Sequence, residues 1–312
     1  MPSIDLRSII VSKILEIDNA WIVSIDSAVS SGLQLFREKS EHRFVELGVA
    51  EQNSVDVACG LASEGAQVFV FGISSFLLFR AYEQIRTTLG AGQYSVCICG
   101  LWSGLHYSDQ GLSHRQTEDI AILRTIPNLT VYSPCGATNL VQLLDVIAEK
   151  RRPAYLRIED PTRSGLYLDE TWGHSAAVTE LRKGPTHAYL ATGQAVSRCL
   201  NAAERGASIG CHVGVVAISQ LSPLPLAELL EILRKYKHVH VVEEHYADSG
   251  LAVDLLRLVT EKEFPLRVTY QGVGVEYPGT MAYENAVNHY GLDEESILNQ
   301  LVSFMDYVQH EK

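Results

Sequence analysis

Three stretches carry residue types whose spacing could support chemistry. The first is Gly48-Val49-Ala50-Glu51-Gln52-Asn53, which places a carboxylate at the opening of a helical pattern over 52–64. A charge there is ordinarily a favourable partner for the positive end of the helix dipole. The second is Phe76, Phe79 and Tyr82, spaced i, i+3, i+6, with Arg80 and Arg86 beside them. An aromatic stripe of this kind is ordinarily core. The third is Gly100 to His114, an irregular run after an apolar strand that contains three glycines, His106, Asp109 and His114. A long irregular segment inside a compact domain is more often functional than not, its alternative being a structural loop with satisfied polar side chains. A carboxylate and histidines are proton-moving groups. Each stretch alone has an ordinary explanation, and their order along the chain is what makes them informative together.

The elements around them are regular. Short apolar runs at Trp21 to Ile25, Val68 to Phe71, Val96 to Cys99, Leu129 to Tyr132 and Ala154 to Ile158 alternate with helical spacing near 4–16, 52–64, 76–89, 117–125 and 137–149. This alternation predicts βαβ units, and continuous apolar strands fit a sheet covered on both faces. Glu159 to Gly165 is turn-rich, and 166–183 shows no period. The rhythm restarts with strands expected at 187–192, 212–218, 238–242 and 266–270, and helices near 194–205, 226–236, 250–261 and 294–306. The expected fold is α/β, with two doubly wound, mainly parallel-sheet domains at 1–165 and 186–312 and a linker at 166–185. Such sheets bind ligands at the carboxyl ends of their strands, which directs attention to the loops 26–32, 72–76, 100–114 and 133–136.

Composition narrows the class. Of 312 residues, 25 are Lys or Arg and 37 are Asp or Glu, a net charge of -12. No broad basic field is present for nucleic-acid phosphates. No apolar run approaches the length of a membrane span, and Met1-Pro2-Ser3-Ile4-Asp5 lacks the basic-then-apolar pattern of a signal peptide. The six cysteines form no CxxC and are expected to be reduced and mostly buried, with no metal site. The chain therefore reads as cytoplasmic.

The run Arg43-Phe44-Val45-Glu46-Leu47-Gly48-Val49-Ala50-Glu51-Gln52-Asn53 resembles the pyrimidine-domain signature of the transketolase family. The resemblance continues through Phe76 to Arg86 and through Thr117 to Asn128, and Val241-Val242-Glu243-Glu244-His245 is similar to the family's C-terminal domain. It covers nearly the whole chain and has the character of a split transketolase, in which two polypeptides share what is elsewhere one. The resemblance implies a pyrimidine-binding domain followed by a transketolase C-terminal domain, and thiamine diphosphate as cofactor. Glu51 would then meet N1′ of the aminopyrimidine, where a carboxyl taken out of water can share a proton with the ring. Phe76, Phe79 and Tyr82 correspond to the aromatic pocket around that ring, and Asp26 to an acidic residue near the cofactor. His114 corresponds to a proton-shuttling histidine at the substrate end. Arg157 corresponds to an arginine for substrate phosphate, with an ion pair to Glu159 or Asp160 as the alternative.

Two positions depart from the family. Gln110 falls where transketolases carry an Asp that senses the acceptor hydroxyl, and Trp102 where they often carry a second substrate-facing His. His106 and Asp109 lie near enough to substitute after a one-residue shift. These changes leave a two-carbon ketol transfer between sugar-like donors and acceptors in place and make the ordinary pentose phosphates doubtful. The family holds the cofactor's diphosphate through Mg²⁺ on a Gly-Asp-Gly segment, and this sequence contains no such string. The expectation is a partner, an N-terminal transketolase-like subunit carrying Gly-Asp-Gly and Mg²⁺, in an α2β2 complex. The competing readings are the β subunit of a 2-oxo acid dehydrogenase E1 component, a 1-deoxyxylulose-5-phosphate synthase-like enzyme, and a non-catalytic interaction subunit.

Overall fold

A computed structural model describes residues 5–160 and 175–310. The first sheet contains β1 (Ala20–Ser24), β2 (Phe44–Glu46), β3 (Gln67–Ile73), β4 (Val96–Leu101), β5 (Thr130–Tyr132) and β6 (Ala154–Ile158). The second contains β7 (Val178–Arg182), β8 (His187–Ala191), β9 (Gly214–Ile218), β11 (His238–Tyr246) and β12 (Arg267–Val273). The short strand β10 (Gln220–Ser222) leaves the second domain and pairs antiparallel with β5. The sheet orders are β10-β5-β6-β4-β3-β1-β2 and β12-β11-β8-β9-β7.

All pairings in the first sheet are parallel except that of β10, and all in the second except β7 with β9. Both domains are thus α/β with mixed sheets. The buried runs explain the parallel core. Val68 to Phe71, Val96 to Cys99 and Ala154 to Ile158 are buried at every position, which requires cover on both faces. One face packs on the helices Glu51–Ser63 and Ser74–Gln84 through Val55, Ala58, Leu77, Leu78 and Ala81, the other on Leu6–Glu16 and Ala137–Lys150 through Ile10, Ile14, Leu140 and Leu144.

Several elements depart from the sequence reading. The span read as linker contributes β7, whose Val178 pairs with Ile218; its portion at 166–174 lies outside the described residues. β2 and β10 are three residues long, too short to show a period, and each lies at an edge of the first sheet. The helix expected over 76–89 is present from Ser74, and only its last turns differ, running on beyond Gln84 as a π-helix, Ile85–Gly90. All six cysteines are free and buried, and burial pushes the Cys59, Cys135 and Cys199 thiols up to about 12. No helix among the described residues is long and apolar enough to cross a membrane.

Candidate active site

The order β4-β3-β1-β2 brings four strand ends side by side. Asp26 follows β1, Glu51 follows β2, Phe76 follows β3, and the 102–114 loop follows β4. This is the edge at which a doubly wound sheet presents ligand groups.

Glu51 is the first residue of its helix and only 7% exposed. One carboxylate oxygen accepts a charge-assisted hydrogen bond from Arg80, whose side chain is half exposed. The Arg80 guanidinium also lies 4.3 Å from the centre of the Phe76 ring. The i, i+4 spacing of Phe76 and Arg80 on one helix face makes this stacking possible. Phe76 in turn meets the His114 ring edge-on at 4.7 Å. Glu51, Arg80, Phe76 and His114 therefore form one contiguous corner. His114 Nδ1 shares a 2.9 Å hydrogen bond with the Ser113 hydroxyl.

The other expected ring-pocket residues are placed apart from this corner. Phe79 is 50% exposed. Tyr82 is half buried, with its hydroxyl 2.7 Å from Thr125 Oγ1. Three residues at i, i+3, i+6 turn steadily around a helix, and of these three it is Phe76 whose ring carries the Arg80 that pairs with Glu51. Asp26 is exposed and adopts a left-handed φ of 52°. Its backbone N–H is held by Glu46 Oε1 at 2.8 Å, which also accepts from the Gly48 N–H.

The 102–114 loop is strained where it carries its rings. Trp102 and Tyr107 have φ values of 61° and 60°, a region that non-glycine residues rarely occupy. Their rings stack at 4.7 Å, and Tyr107 meets His114 edge-on at 5.8 Å. Gln110 is exposed beside Asp109. His106 does not face this open side. It is 6% exposed, lies 3.9 Å from Asp160 and stacks on Tyr283 of the second domain at 4.1 Å. Packed against the second domain, it does not face the open side as a substrate group would, and burial lowers its pKa below the ordinary histidine value.

Arg157 also departs from expectation. It is 1% exposed, and its Nε donates to Asp119 at 2.8 Å, its Nη1 to Glu159, and its Nη2 to the Glu244 carbonyl at 2.8 Å. Three nitrogens spent on buried partners leave a structural cation between the domains rather than one turned toward a ligand. The ion pair with Glu159 is the alternative that the structure adopts. Around it, Tyr155 donates to Asp119 at 2.9 Å, and burial lowers His245 to about 4. Glu243 caps the helix Leu251–Glu261, accepting from the N–H groups of Leu251 and Ala252 at 2.8 and 3.0 Å. Burial still pushes its carboxyl up to about 7.

The donor set fits one end of an aminopyrimidine cofactor. A buried carboxylate paired with a half-exposed arginine lies beside an aromatic ring, and a histidine meets the same ring edge-on. Among the described residues no group of three or more His, Cys, Asp or Glu could hold a metal ion.

Comparisons with known proteins identify the two domains. Residues 8–161 match the family model of the transketolase pyrimidine binding domain, and residues 176–297 that of the transketolase C-terminal domain. An uncharacterized transketolase family protein of Sinorhizobium fredii is 30% identical, the match covering 91% of this chain and 83% of that one. The chain belongs to the transketolase family. One of the subunits of the apulose-4-phosphate transketolase of Phocaeicola vulgatus is 28% identical over 91% of this chain and 90% of its own. A solved split-gene transketolase, described as an inactive β4 tetramer, superposes with a TM-score of 0.84 at 25% identity, over 95% of each chain. In this transketolase-family domain pair the residues that the sequence left unassigned are Arg80, Glu46, Tyr107, Glu244 and Tyr283. Arg80, Glu46, Tyr107 and Glu244 lie inside or beside stretches that the sequence singled out, whereas Tyr283 carried no local signal.

Proposed function

We propose that this chain is the pyrimidine-side subunit of a thiamine-diphosphate-dependent enzyme that transfers a two-carbon ketol unit between sugar-like substrates. A separate subunit would hold the diphosphate and Mg²⁺. The observation that carries this reading is the contiguous corner of Glu51, Arg80, Phe76 and His114 at the carboxyl edge of the first sheet. A second observation supports the division between two chains. Each of the four connections leaving that edge exposes a large apolar side chain: Val29 at 77%, Val49 at 72%, Phe79 at 50% and Leu112 at 45%. Scattered apolar residues need no explanation, but four around one edge fit a surface that another polypeptide covers.

When bound, thiamine diphosphate supplies the carbon nucleophile that carries the two-carbon unit. The chain's own residues do the rest. Glu51 holds a proton at the ring nitrogen N1′, and to do so it exchanges Arg80 for the ring. Phe76 offers the ring face that Arg80 occupies in the free chain, so the guanidinium acts as an internal stand-in for a planar, nitrogen-rich ligand. His114 moves protons at the substrate carbonyl and hydroxyl groups. Trp102, packed under Tyr107, and exposed Gln110 set the acceptor end, and their departure from the family pattern fits an acceptor other than the common pentose phosphates. Asp26, with its main chain fixed by Glu46, stands near the cofactor end of the same edge.

The test is calorimetric titration of thiamine diphosphate with Mg²⁺ into the chain alone, into a Gly-Asp-Gly-bearing transketolase subunit alone, and into their mixture. The expected result is tight binding only in the mixture. Equally tight binding by this chain alone would overturn the division of the site between two polypeptides.

A further inference from the structure

The second domain carries a buried carboxylate that the reaction does not use directly. Glu244 is 0% exposed at the end of β11. Its Oε1 accepts from the Arg198 guanidinium at 2.7 Å and from the Tyr283 hydroxyl at 2.6 Å. Its Oε2 accepts the backbone N–H of Leu105 at 3.1 Å, in the middle of the 102–114 loop. The loop backbone is pressed onto this oxygen. Gly104 has a φ of 73°, and a Cβ there would lie 2.7 Å from Glu244 Oε2. Only glycine satisfies both the torsion and the clearance.

Tyr283 reaches the same loop by a second route. Its ring stacks on His106 at 4.1 Å with an interplanar angle of 13°. His106 meets Trp102 edge-on at 6.5 Å, Trp102 stacks on Tyr107, and Tyr107 meets His114. Two residues before Tyr283, the Met281 N–H donates to the Ser108 carbonyl at 3.1 Å. The loop thus has a hydrogen bond, a ring stack and a main-chain bond to the second domain. It also holds two non-glycine residues in left-handed conformations, and strain of that kind persists only where the surroundings over-determine the backbone.

We propose that Glu244 and Tyr283 are positioning residues, through which the second domain holds the 102–114 loop and so fixes His114 at the substrate end of the site. The assignment of His114 to the substrate end rests on the function proposed above. The holding of the loop does not, and can be measured without turnover. Neither residue touches the Glu51 corner, so their effects separate from cofactor activation.

The experiment is amide hydrogen exchange on the isolated full chain, comparing wild type with Tyr283→Ala, Tyr283→Phe and Glu244→Gln. Tyr283→Ala is expected to speed exchange across 102–114 by about tenfold or more while the β3 and β4 segments stay at wild-type protection. Tyr283→Phe keeps the stack on His106 and is expected to restore most of that protection. Glu244→Gln retains an acceptor for Leu105 and loses the charge facing Arg198, with an intermediate effect. In the assembled enzyme Tyr283→Ala should raise the acceptor KM by roughly tenfold with thiamine diphosphate affinity changed less than about twofold, and Tyr283→Phe should recover it. Unchanged loop exchange in Tyr283→Ala would overturn the proposal, as would faster exchange spread evenly over both domains. If Tyr283→Ala fails to fold, loop protection equal to wild type in both Tyr283→Phe and Glu244→Gln overturns it as well. A wild-type complex that transfers no two-carbon unit, with the loop effects intact, would remove the proposed function and leave the positioning standing.

Discussion

Two buried carboxylates meet different fates in this molecule. Glu51 has one charged partner, the half-exposed Arg80. Glu244 has Arg198, Tyr283 and the Leu105 N–H, and Arg157 donates to its own carbonyl. These contacts offset the cost of burial and hold the Glu244 carboxyl well below the usual carboxylate range. A saturated carboxylate is built to stay where it is, whereas one with a single removable partner can accept a ligand in that partner's place. The difference separates a carboxylate with one half-exposed partner from one locked into a buried network.

The largest way to break the comparison is at Glu51. Glu51→Gln should lower two-carbon transfer by about 10²–10⁴-fold, the range for losing an essential proton-transfer group, with the chain still folded and assembled. A variant with turnover within a few-fold of wild type would make Glu51 an ordinary helix-start charge. Next comes Arg157→Met, which leaves Asp119 and Glu159 buried without their cation. The expected cost is roughly 3–5 kcal/mol of stability by denaturant unfolding. A loss below about 1 kcal/mol would show that the network is not saturated in the way described.

Arg80→Met should cost less than Arg157→Met, about 1–2 kcal/mol, because Arg80 is half exposed and its loss opens the Glu51 carboxylate to water. It should also lift the competition at Glu51, so a thiamine-ring ligand should bind the assembled complex no more weakly than wild type. Clearly weaker binding would assign Arg80 to the cofactor rather than to the resting pair.

A further expected effect concerns pH. Burial lowers the pKa of His187, His238 and His240, that of His238 to about 3 from an ordinary 6.5, with His238 bonded to Thr269 at 2.7 Å. A histidine whose folded pKa is depressed stabilises the fold above its unfolded pKa and loses that contribution as pH falls toward the folded value. Stability should therefore decline from about pH 6.5 downward. His238→Asn should flatten that slope in chemical unfolding followed across pH, and an unchanged slope would remove His238 as its source.

The parts of the Glu51 corner were legible because each lies in a short local stretch of sequence, although only the fold brings those stretches together. Glu51 sits in a recognisable run, and the 100–114 loop announces itself by length and glycine content. The parallel strands were legible because burial on both faces makes them continuously apolar. The holding network was not legible, because its contacts are distant in the chain. Arg157 and Glu244 are 87 residues apart, and Leu105 and Glu244 are 139 apart. No local pattern marks an arginine as spent on a buried acid. The burial of His106 was not legible for a related reason, since its partner Tyr283 comes from the other domain. β7 was missed because an edge strand with half-buried residues shows neither an apolar run nor a clean alternation.

The most direct test is reconstitution of this chain with a Gly-Asp-Gly-bearing subunit, thiamine diphosphate and Mg²⁺, followed by single-turnover two-carbon transfer for wild type and Glu51→Gln. The account predicts transfer by the wild-type mixture, none by either chain alone, and loss of transfer in Glu51→Gln with co-elution retained. Transfer by the Glu51→Gln mixture at the wild-type rate would contradict it.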